Sequence, residues 1–490
     1  MSDNMDIQLT QSQQHAFERL IRFANRSDEF TATFNGESVD PDRVFILKGY
    51  AGTGKTTLIR SFTKYLKEHH MAFKLLASTG RAAKIMSNVV GYEAHTIHSM
   101  IYEFNDFNQD LEKIDLRRRE KGHDDTGQLL LDFVMRKPVG RNSGTDFYIV
   151  DESSMISDVE DKNATQAQFG SGRLLNDLLT FDKFARFVFV GDPCQLPPVT
   201  QPESPALTPS WYRNYAATPW EAELTEVMRQ ENGNDIVLSA QKVRNCCQNP
   251  QPSRAAYFTL RNYQHIHVVQ SESDLLCKYI DDVKRNGFNH ATLLTMSNKK
   301  CNEMTSLLRP AFGIQQAGLA VGDLLLVTQN NLLSGLMNGD LVTVVNLGIT
   351  EQRAGLTFMK VQVKELFTEK TYSQFLIMEI VYGNQTNLSQ TQQKELFIDF
   401  YCRMQRCGLK QNTSEFNRIM MLDPYLNALR AVYGYVLTCH KAQGGEWDNV
   451  YLDIPRNLPY VPKPYVYQWM YTAMTRASRE LYTNDDYWVR

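Results

Sequence analysis

The stretch LKGYAGTGKTTLIRSF, Leu47 to Phe62, decides the fold. Its spelling Gly49-x-x-x-x-Gly54-Lys55-Thr56 is that of a phosphate loop, in which small residues let backbone N–H groups curl around anionic oxygens and a lysine reaches the outer phosphates. Gly49, Gly52, Thr53, Gly54, Lys55, Thr56 and Thr57 are therefore the expected nucleotide-binding residues, with the Thr56 hydroxyl expected on Mg²⁺. The apolar run Val44-Phe45-Ile46-Leu47 reads as a buried parallel strand. Thr57 to Lys67 reads as a helix whose positive N-terminal end faces the phosphates. Such a loop identifies a nucleotide and not a task.

Working outward, AFKLLAST (Ala72 to Thr79), TDFYIVDESS (Thr145 to Ser154) and FARFVFVGD (Phe184 to Asp192) repeat the short apolar run, with a helix expected over Leu174 to Phe184. Strands alternating with helices predict an α/β domain with a parallel sheet covered on both faces. The rhythm breaks between about Tyr102 and Gly144, where DLRRREKGHDDTGQ is charged and poor in buried strands; this predicts an inserted subdomain or a solvated excursion. TQPESPALTPSW (Thr200 to Trp211) reads as a surface loop near a boundary. A second α/β block follows, with helices over Asn234 to Cys246 and Glu272 to Lys284 and strands at His265 to Val269 and Ala291 to Thr295. From Gly318 to Tyr382 alternating segments separated by Gly and Asn predict a small β-barrel, FLIMEIVYG among its strands. Helical texture then leads to YGYVLTCH and DNVYLDI, so the barrel is expected as an insertion in the second block.

Bulk properties narrow the class. A chain of 490 residues divides into about two to four domains. Its 42% hydrophobic and 22% charged content is that of a globular protein. No apolar run reaches membrane-spanning length and Met1 to Ala32 lacks a signal-peptide core, so a cytoplasmic protein without membrane partners is expected. The eight cysteines show no repeated CxxC, which argues for reduced thiols over zinc. A net charge of −3 excludes a protein coated in positive charge; nucleic acid would have to bind in a local groove.

Two further strand ends supply partners for the loop. In YIVDES, Asp151 would order Mg²⁺ and Glu152 would orient and deprotonate the attacking water. In VGDPCQLPPV, Gln195 lies just past a strand's carboxyl end, where its amide could sense the γ-phosphate. Lys55, Asp151, Glu152 and Gln195 together predict an ATPase.

The ordered series GYAGTGKTT, ASTGRAAK, HTIHS, DESSM, GDPCQLPPV, LTEVMRQ, LTCHKAQGGEWD and YTAMTRA resembles the motifs of superfamily 1B DNA helicases of the RecD, Dda and Pif type, in size and layout most like the phage Dda form. The match spans Leu9 to Leu481. The resemblance implies two RecA-like parallel-sheet P-loop domains, with a pin or wedge inserted in the first and an SH3-like barrel in the second. It divides the chain as 1–100 and 146–220 for the first motor domain around the insert 101–145, and 221–312 and 432–490 for the second around the insert 313–431. It implies ATP and Mg²⁺ as cofactors and 5′-to-3′ movement along single-stranded DNA. Partners would be single strands and single-to-double-strand junctions, with single-strand-binding or replication proteins as further candidates. It also implies a monomer in a bacterial cell or phage-infected host.

Residue by residue, the resemblance assigns Gln13 to the adenine, and Arg229 and Arg476 to the γ-phosphate across the domain seam, a task suited to an always-charged, forked guanidinium. Gln443 and Glu446 join the nucleotide site. Thr79, Arg81, Thr96, His98, Ser297, Thr438 and His440 fall to the strand. Most of these are neutral hydrogen-bonding groups, suited to contacts broken at every step. Tyr102, Phe104 and Phe107 are candidate stacking platforms or, equally, subdomain packing; Arg117, Arg118 and Arg119 stand nearby. The family's usual HKSQGSEF reads HKAQGGEW here, with Ala442, Gly445 and Trp447 at three places. A translocase that parts no duplex, an RNA-tracking motor and a binding scaffold with a dead ATPase fold are the competing readings; the last predicts decay at Lys55, Glu152, Gln195 or Arg476, and all four are present.

Overall fold

The computed structural model describes residues 9–121, 128–140, 144–160, 166–199, 201–226, 234–250, 255–383, 385–411 and 413–490. Its architecture is α/β, built on two parallel sheets. The first has six strands in the order Trp220–Leu224, Val44–Gly49, Arg186–Gly191, Phe147–Asp151, Phe73–Ala77, Ala94–Thr96, all parallel. These are apolar runs such as VFIL because helices cover both faces and nearly every side chain is buried. Helices Gln11–Asn25 and Lys55–Glu68 close one face around Phe23, Phe45, Leu58 and Phe62; Leu175, Leu178, Phe187 and Tyr212 fill the other. The second sheet has five strands, again all parallel, in the order Ile266–Val269, Ala477–Asn484, Trp447–Leu452, Ala291–Thr295, Val436–Thr438.

Several expectations need correcting. The strand Trp220–Leu224 pairs with Val44–Gly49, so the expected division at 220/221 falls inside an edge strand of the first sheet. The segment 201–211, expected within a surface loop, packs inward instead. It turns into two 3₁₀ segments, Pro205–Leu207 and Pro209–Tyr215, that bury Ala206, Leu207 and Tyr212, and the carboxylate of Asp158 accepts from Trp211 and Tyr215. Composition suggested a loop because the prolines there start helical turns.

The first insertion carries more order than its charge implies. Strands Tyr102–Phe107 and Leu131–Met135 pair antiparallel, and Ala167–Phe169, from beyond the expected 101–145, joins alongside. The helix Leu111–Lys121 buries Leu111 and Ile114. The second insertion holds an antiparallel sheet of Thr371–Ile377, Leu356–Glu365, Leu341–Arg353, Leu324–Val327 and Ala431–Tyr433. The segment FLIMEIVYG is strand only to Ile377; Met378–Tyr382 is a helix, and the closing strand comes from beyond the helical extension Gln390–Arg406 and Ser414–Leu422.

That extension has a clear partner. Phe107, Leu111, Ile114 and Leu129 of the first insertion share one core with Leu396, Phe397 and Phe400, the Phe107 and Phe397 rings meeting edge-on at 5.0 Å. The Gln411 amide receives Leu111 N–H at 2.9 Å and donates to Asp106 at 3.0 Å. The two insertions thus bridge the two parallel-sheet domains.

Candidate nucleotide site and strand track

The phosphate loop leaves the strand Val44–Gly49 and enters the helix Lys55–Glu68 through Gly52 and Gly54, both left-handed at φ 76° and 75°, a conformation that side chains resist. Gly49 is needed for another reason: a Cβ there would stand 2.7 Å from Lys55 Cγ. The Thr53 hydroxyl donates to Tyr50 O at 2.7 Å, and Lys55 Nζ donates to Gly49 O at 2.8 Å and Tyr50 O at 3.2 Å, so the lysine folds back over its own loop. Thr56 and Thr57, in the helix's first turn, are half-buried. Gln13 caps its helix through Thr10 and donates from Nε2 to Thr53 O at 3.0 Å, bracing the loop from below.

Carboxylates converge on Lys55. Asp151 ends its strand and accepts Glu152 N–H at 2.8 Å. Burial, and then the charge of Glu152, raises Asp151 to about 6, while Lys55 pulls it down. Glu152 itself sits at φ 49°, a strained position for a non-glycine residue of the kind that gathers at functional sites. Asp192 is a third carboxylate that sequence reading passed over. It is buried and raised by that burial, with Lys55 and the hydroxyl of Tyr471 opposing the shift. Thr56 and Asp151 offer hard oxygen donors of the kind Mg²⁺ takes. Among the described residues no cluster of three or more His, Cys, Asp or Glu forms a dedicated metal cage.

The second domain meets this site through the helix Tyr465–Met474. The Tyr471 hydroxyl accepts the Ala51 N–H of the phosphate loop at 2.9 Å and donates to Asp192 at 2.8 Å. Burial holds this phenol well above its ordinary range, so it stays a donor. Leu196 N–H donates to Thr472 at 3.0 Å, and Gln443 Nε2 donates to Leu196 O at 3.1 Å. Gln195, between them, is buried with its Oε1 unpartnered among the described residues. Asp192 and Tyr471 could have been found in sequence, since both lie inside quoted motifs, GDPCQ and YTAMTRA.

The remaining nucleotide candidates divide. Arg476 is buried at the end of that helix, but its guanidinium donates to Thr472 O at 3.1 Å and Gly445 O at 3.0 Å, both in its own domain. Glu446 is exposed. Arg229 lies outside the described residues.

The strand candidates share an unforeseen feature. Thr79, Thr96 and Ser297 each cap a helix, accepting the N–H of Ala82, Ser99 and Lys300 at 3.2 Å. The caps belong to the helices Gly80–Val90, Ile97–Ile101 and Asn298–Ala311. Thr438 is buried at a strand end, and His440 is half-buried with its ring nitrogen 3.5 Å from Tyr465 Oη. His98 packs edge-on to Phe169 at 5.0 Å, and burial lowers it to about 4. Arg81 is not in an open groove. Its guanidinium lies over Trp447 at 5.1 Å and Phe367 at 5.3 Å, with Gly339 O at 3.4 Å. Of the candidate platforms, Tyr102 is buried and donates to Asp177 at 2.7 Å, Phe107 packs in the bridge, and Phe104 lies against Phe133. These are packing roles.

Residues 37–270 match the AAA domain model and residues 433–483 match the UvrD-like helicase C-terminal domain model. Each model covers less than half of the chain. It is 21% identical over 508 residues to an uncharacterised protein of Acanthamoeba polyphaga mimivirus, covering 90% of this chain and 94% of that one. A segment of 163 residues is 33% identical to an uncharacterised protein of Methanocaldococcus jannaschii, covering 32% of this chain and 12% of that one. Among solved structures, Pif1 helicase from Bacteroides in complex with ADP-AlF3 and ssDNA aligns over 98% of this chain and 93% of its own, at 15% identity and a TM-score of 0.47. Pif1 helicase from Candida albicans aligns over 98% and 95%, at 15% identity and 0.42.

Proposed function

We propose that this chain is an ATP-dependent DNA helicase that moves 5′-to-3′ on single-stranded DNA and unwinds duplex DNA, acting as a monomer in the cytoplasm. The observation that carries the reading is the seam: a phosphate loop in one parallel-sheet domain whose Ala51 amide and Asp192 carboxylate are held by Tyr471 of the other. A triphosphate entering that seam alters contacts of both domains at once, so its binding and hydrolysis drive their relative motion. Lys55 leaves its carbonyls for the outer phosphates, and Glu152 takes a proton from water. Mg²⁺, held by Thr56 and Asp151, would neutralise charge on the phosphate oxygens. Gln195, whose amide oxygen has no partner among the described residues, would accept from the attacking water and turn its N–H toward the γ-phosphate. Arg476 would reach the γ-phosphate only by exchanging its carbonyl partners, and Arg229 keeps the same proposed role.

For the strand, three capped helix N-termini at Thr79, Thr96 and Ser297 offer orphan N–H groups suited to phosphate oxygens. His98, Thr438, His440 and Arg81 complete the proposed track, Arg81 after withdrawal from Trp447. The domain division given by sequence, amended at Leu224, and an SH3-like character for the antiparallel insertion belong to this reading. Translocation without strand separation is the second reading, favoured by the burial of Tyr102 and Phe107, which removes them as a wedge. Unwinding assays on substrates with a 5′ or a 3′ overhang, with ATP and with a non-hydrolysable analogue, test both. ATP-dependent product from the 5′ overhang supports the helicase; hydrolysis stimulated by single strands with product from neither supports the translocase.

A further inference from the structure

The seam contains a cation that lies outside every motif read in the sequence. Helix Ile236–Gln248 of the second domain presents Arg244 and, one turn on, Gln248 on the same face. Both grip Tyr50 of the phosphate loop. The Arg244 guanidinium carbon lies 3.9 Å from the ring centroid, and Gln248 Nε2 donates to the Tyr50 hydroxyl at 2.6 Å, which in turn donates to Glu223. Beside this contact is a cavity walled by Tyr50, Ala51 and Gly52 from the loop and by Arg244, Tyr471 and Thr475 from the second domain. Among the described residues Arg244 makes no ion pair, and its buried Nε has no hydrogen-bond partner. Arg476, by contrast, is tied to carbonyls of its own domain.

We propose that Arg244 binds the terminal phosphate of the nucleotide across the seam. The inference rests on the ATPase reading above. A guanidinium stacked on an aromatic face keeps its N–H edge free for a second ligand, and phosphate oxygens match that edge. The cavity adjoins Ala51 and Gly52, whose amides belong to the same loop that curls around the phosphates, so anion and cation meet without rebuilding the fold. Arg244 also reports occupancy, because its helix belongs to the opposite domain from the loop it touches.

The test compares affinities for ADP and for a non-hydrolysable ATP analogue, both with Mg²⁺, in wild type, Arg244→Gln and Arg244→Lys, with thermal melting beside them. Arg244→Gln should weaken the analogue about 10-fold or more while ADP binding stays within about two-fold, since only the analogue carries the third phosphate. Arg244→Lys should recover part of the loss, because it keeps the charge without the fork. Unchanged binding of both nucleotides in Arg244→Gln overturns the proposal. So does equal weakening of both together with a lowered melting temperature, which would mark a packing role against Tyr50. A wild-type protein that binds neither nucleotide overturns the ATPase reading itself, and this inference with it.

Discussion

Two contacts join the halves of this chain, the seam at the phosphate loop and the bridge between the insertions, and their chemistry differs. The seam is registered by hydrogen bonds, three between neutral groups, Ala51 to Tyr471, Leu196 to Thr472 and Gln443 to Leu196, and one from Tyr471 to the Asp192 carboxylate. Its apolar cover from the first domain is Tyr50, Cys194 and Leu196. Each neutral bond is worth about 0.5–1.5 kcal/mol net. The bridge buries Phe107, Leu111, Ile114 and Leu129 of the first insertion in one core with the helical extension of the second. Full burial of each such side chain contributes about 1.5–3 kcal/mol. A hydrogen-bonded seam can exchange its partners for a phosphate at small cost, whereas an apolar core has nothing to exchange. On the proposed function, the seam is the part that opens with turnover and the bridge the part that stays shut.

The sharpest way to break this division is at its chemical end. Lys55→Ala should lower ATP hydrolysis by about 100–1,000-fold, as removal of one well-placed phosphate donor does, and Glu152→Gln should act similarly. Binding of a labelled single strand should persist in both. Full turnover by either purified variant would mean that hydrolysis does not take place at this seam. At the other contact, Phe107→Ala should destabilise the bridge by about 3–5 kcal/mol through the cavity left against Phe397. Hydrogen exchange should rise in Leu111–Lys121 and Gln390–Arg406, while the hydrolysis rate without DNA stays within about two-fold. Unchanged protection in both helices would show that the bridge is not held by this core.

Sequence and structure agree best where chemistry is local. The strand–loop–helix form of the phosphate loop, the strands that end at Asp151 and Asp192 and the alternation of strands with helices follow from short runs of residues, so they were legible. The bridge was not, because Phe107 and Phe397 are 290 residues apart, and no periodicity in IYEFNDF says what its aromatics face. Arg476 was legible as a residue and illegible as a geometry, since its partners Thr472 O and Gly445 O are backbone atoms that any sequence supplies. The departure HKAQGGEW is the instructive middle case. A Cβ on Gly445 would lie 2.6 Å from Trp447 Cη2 and 3.0 Å from Arg81 Nη1. The missing serine and the larger aromatic are thus one adjustment: the indole takes the space and stacks beneath Arg81.

A smaller effect sharpens the seam side. Tyr471→Phe keeps the ring and removes one hydroxyl, leaving Ala51 N–H and Asp192 without their shared partner. DNA-stimulated hydrolysis should fall about 10-fold, equivalent to about 1.4 kcal/mol, with single-strand affinity unchanged and the melting temperature lowered, because two buried groups lose their partner. Wild-type turnover in this variant would show that the two domains communicate through other contacts.

A pH-dependent effect lies at the base of the first insertion, where His98 meets Phe169 and Tyr102. Burial lowers this imidazole from 6.5 to about 4. Between those values the unfolded chain takes up a proton that the folded one refuses, so the folded state loses stability as pH falls from 6.5 toward 4 and keeps it in full above 6.5. His98→Gln removes the titrating group while retaining a polar side chain of similar reach. Its melting temperature should fall less steeply than that of wild type across this window, and the two slopes should coincide at higher pH. Asp151, which burial and Glu152 raise to about 6, is untouched by this substitution, so the acid side of the hydrolysis profile should be the same in both proteins. Slopes that match from pH 6.5 to 4 would mean that His98 is solvated in solution and that the insertion packs less tightly on the first domain than its contacts with Phe169 require.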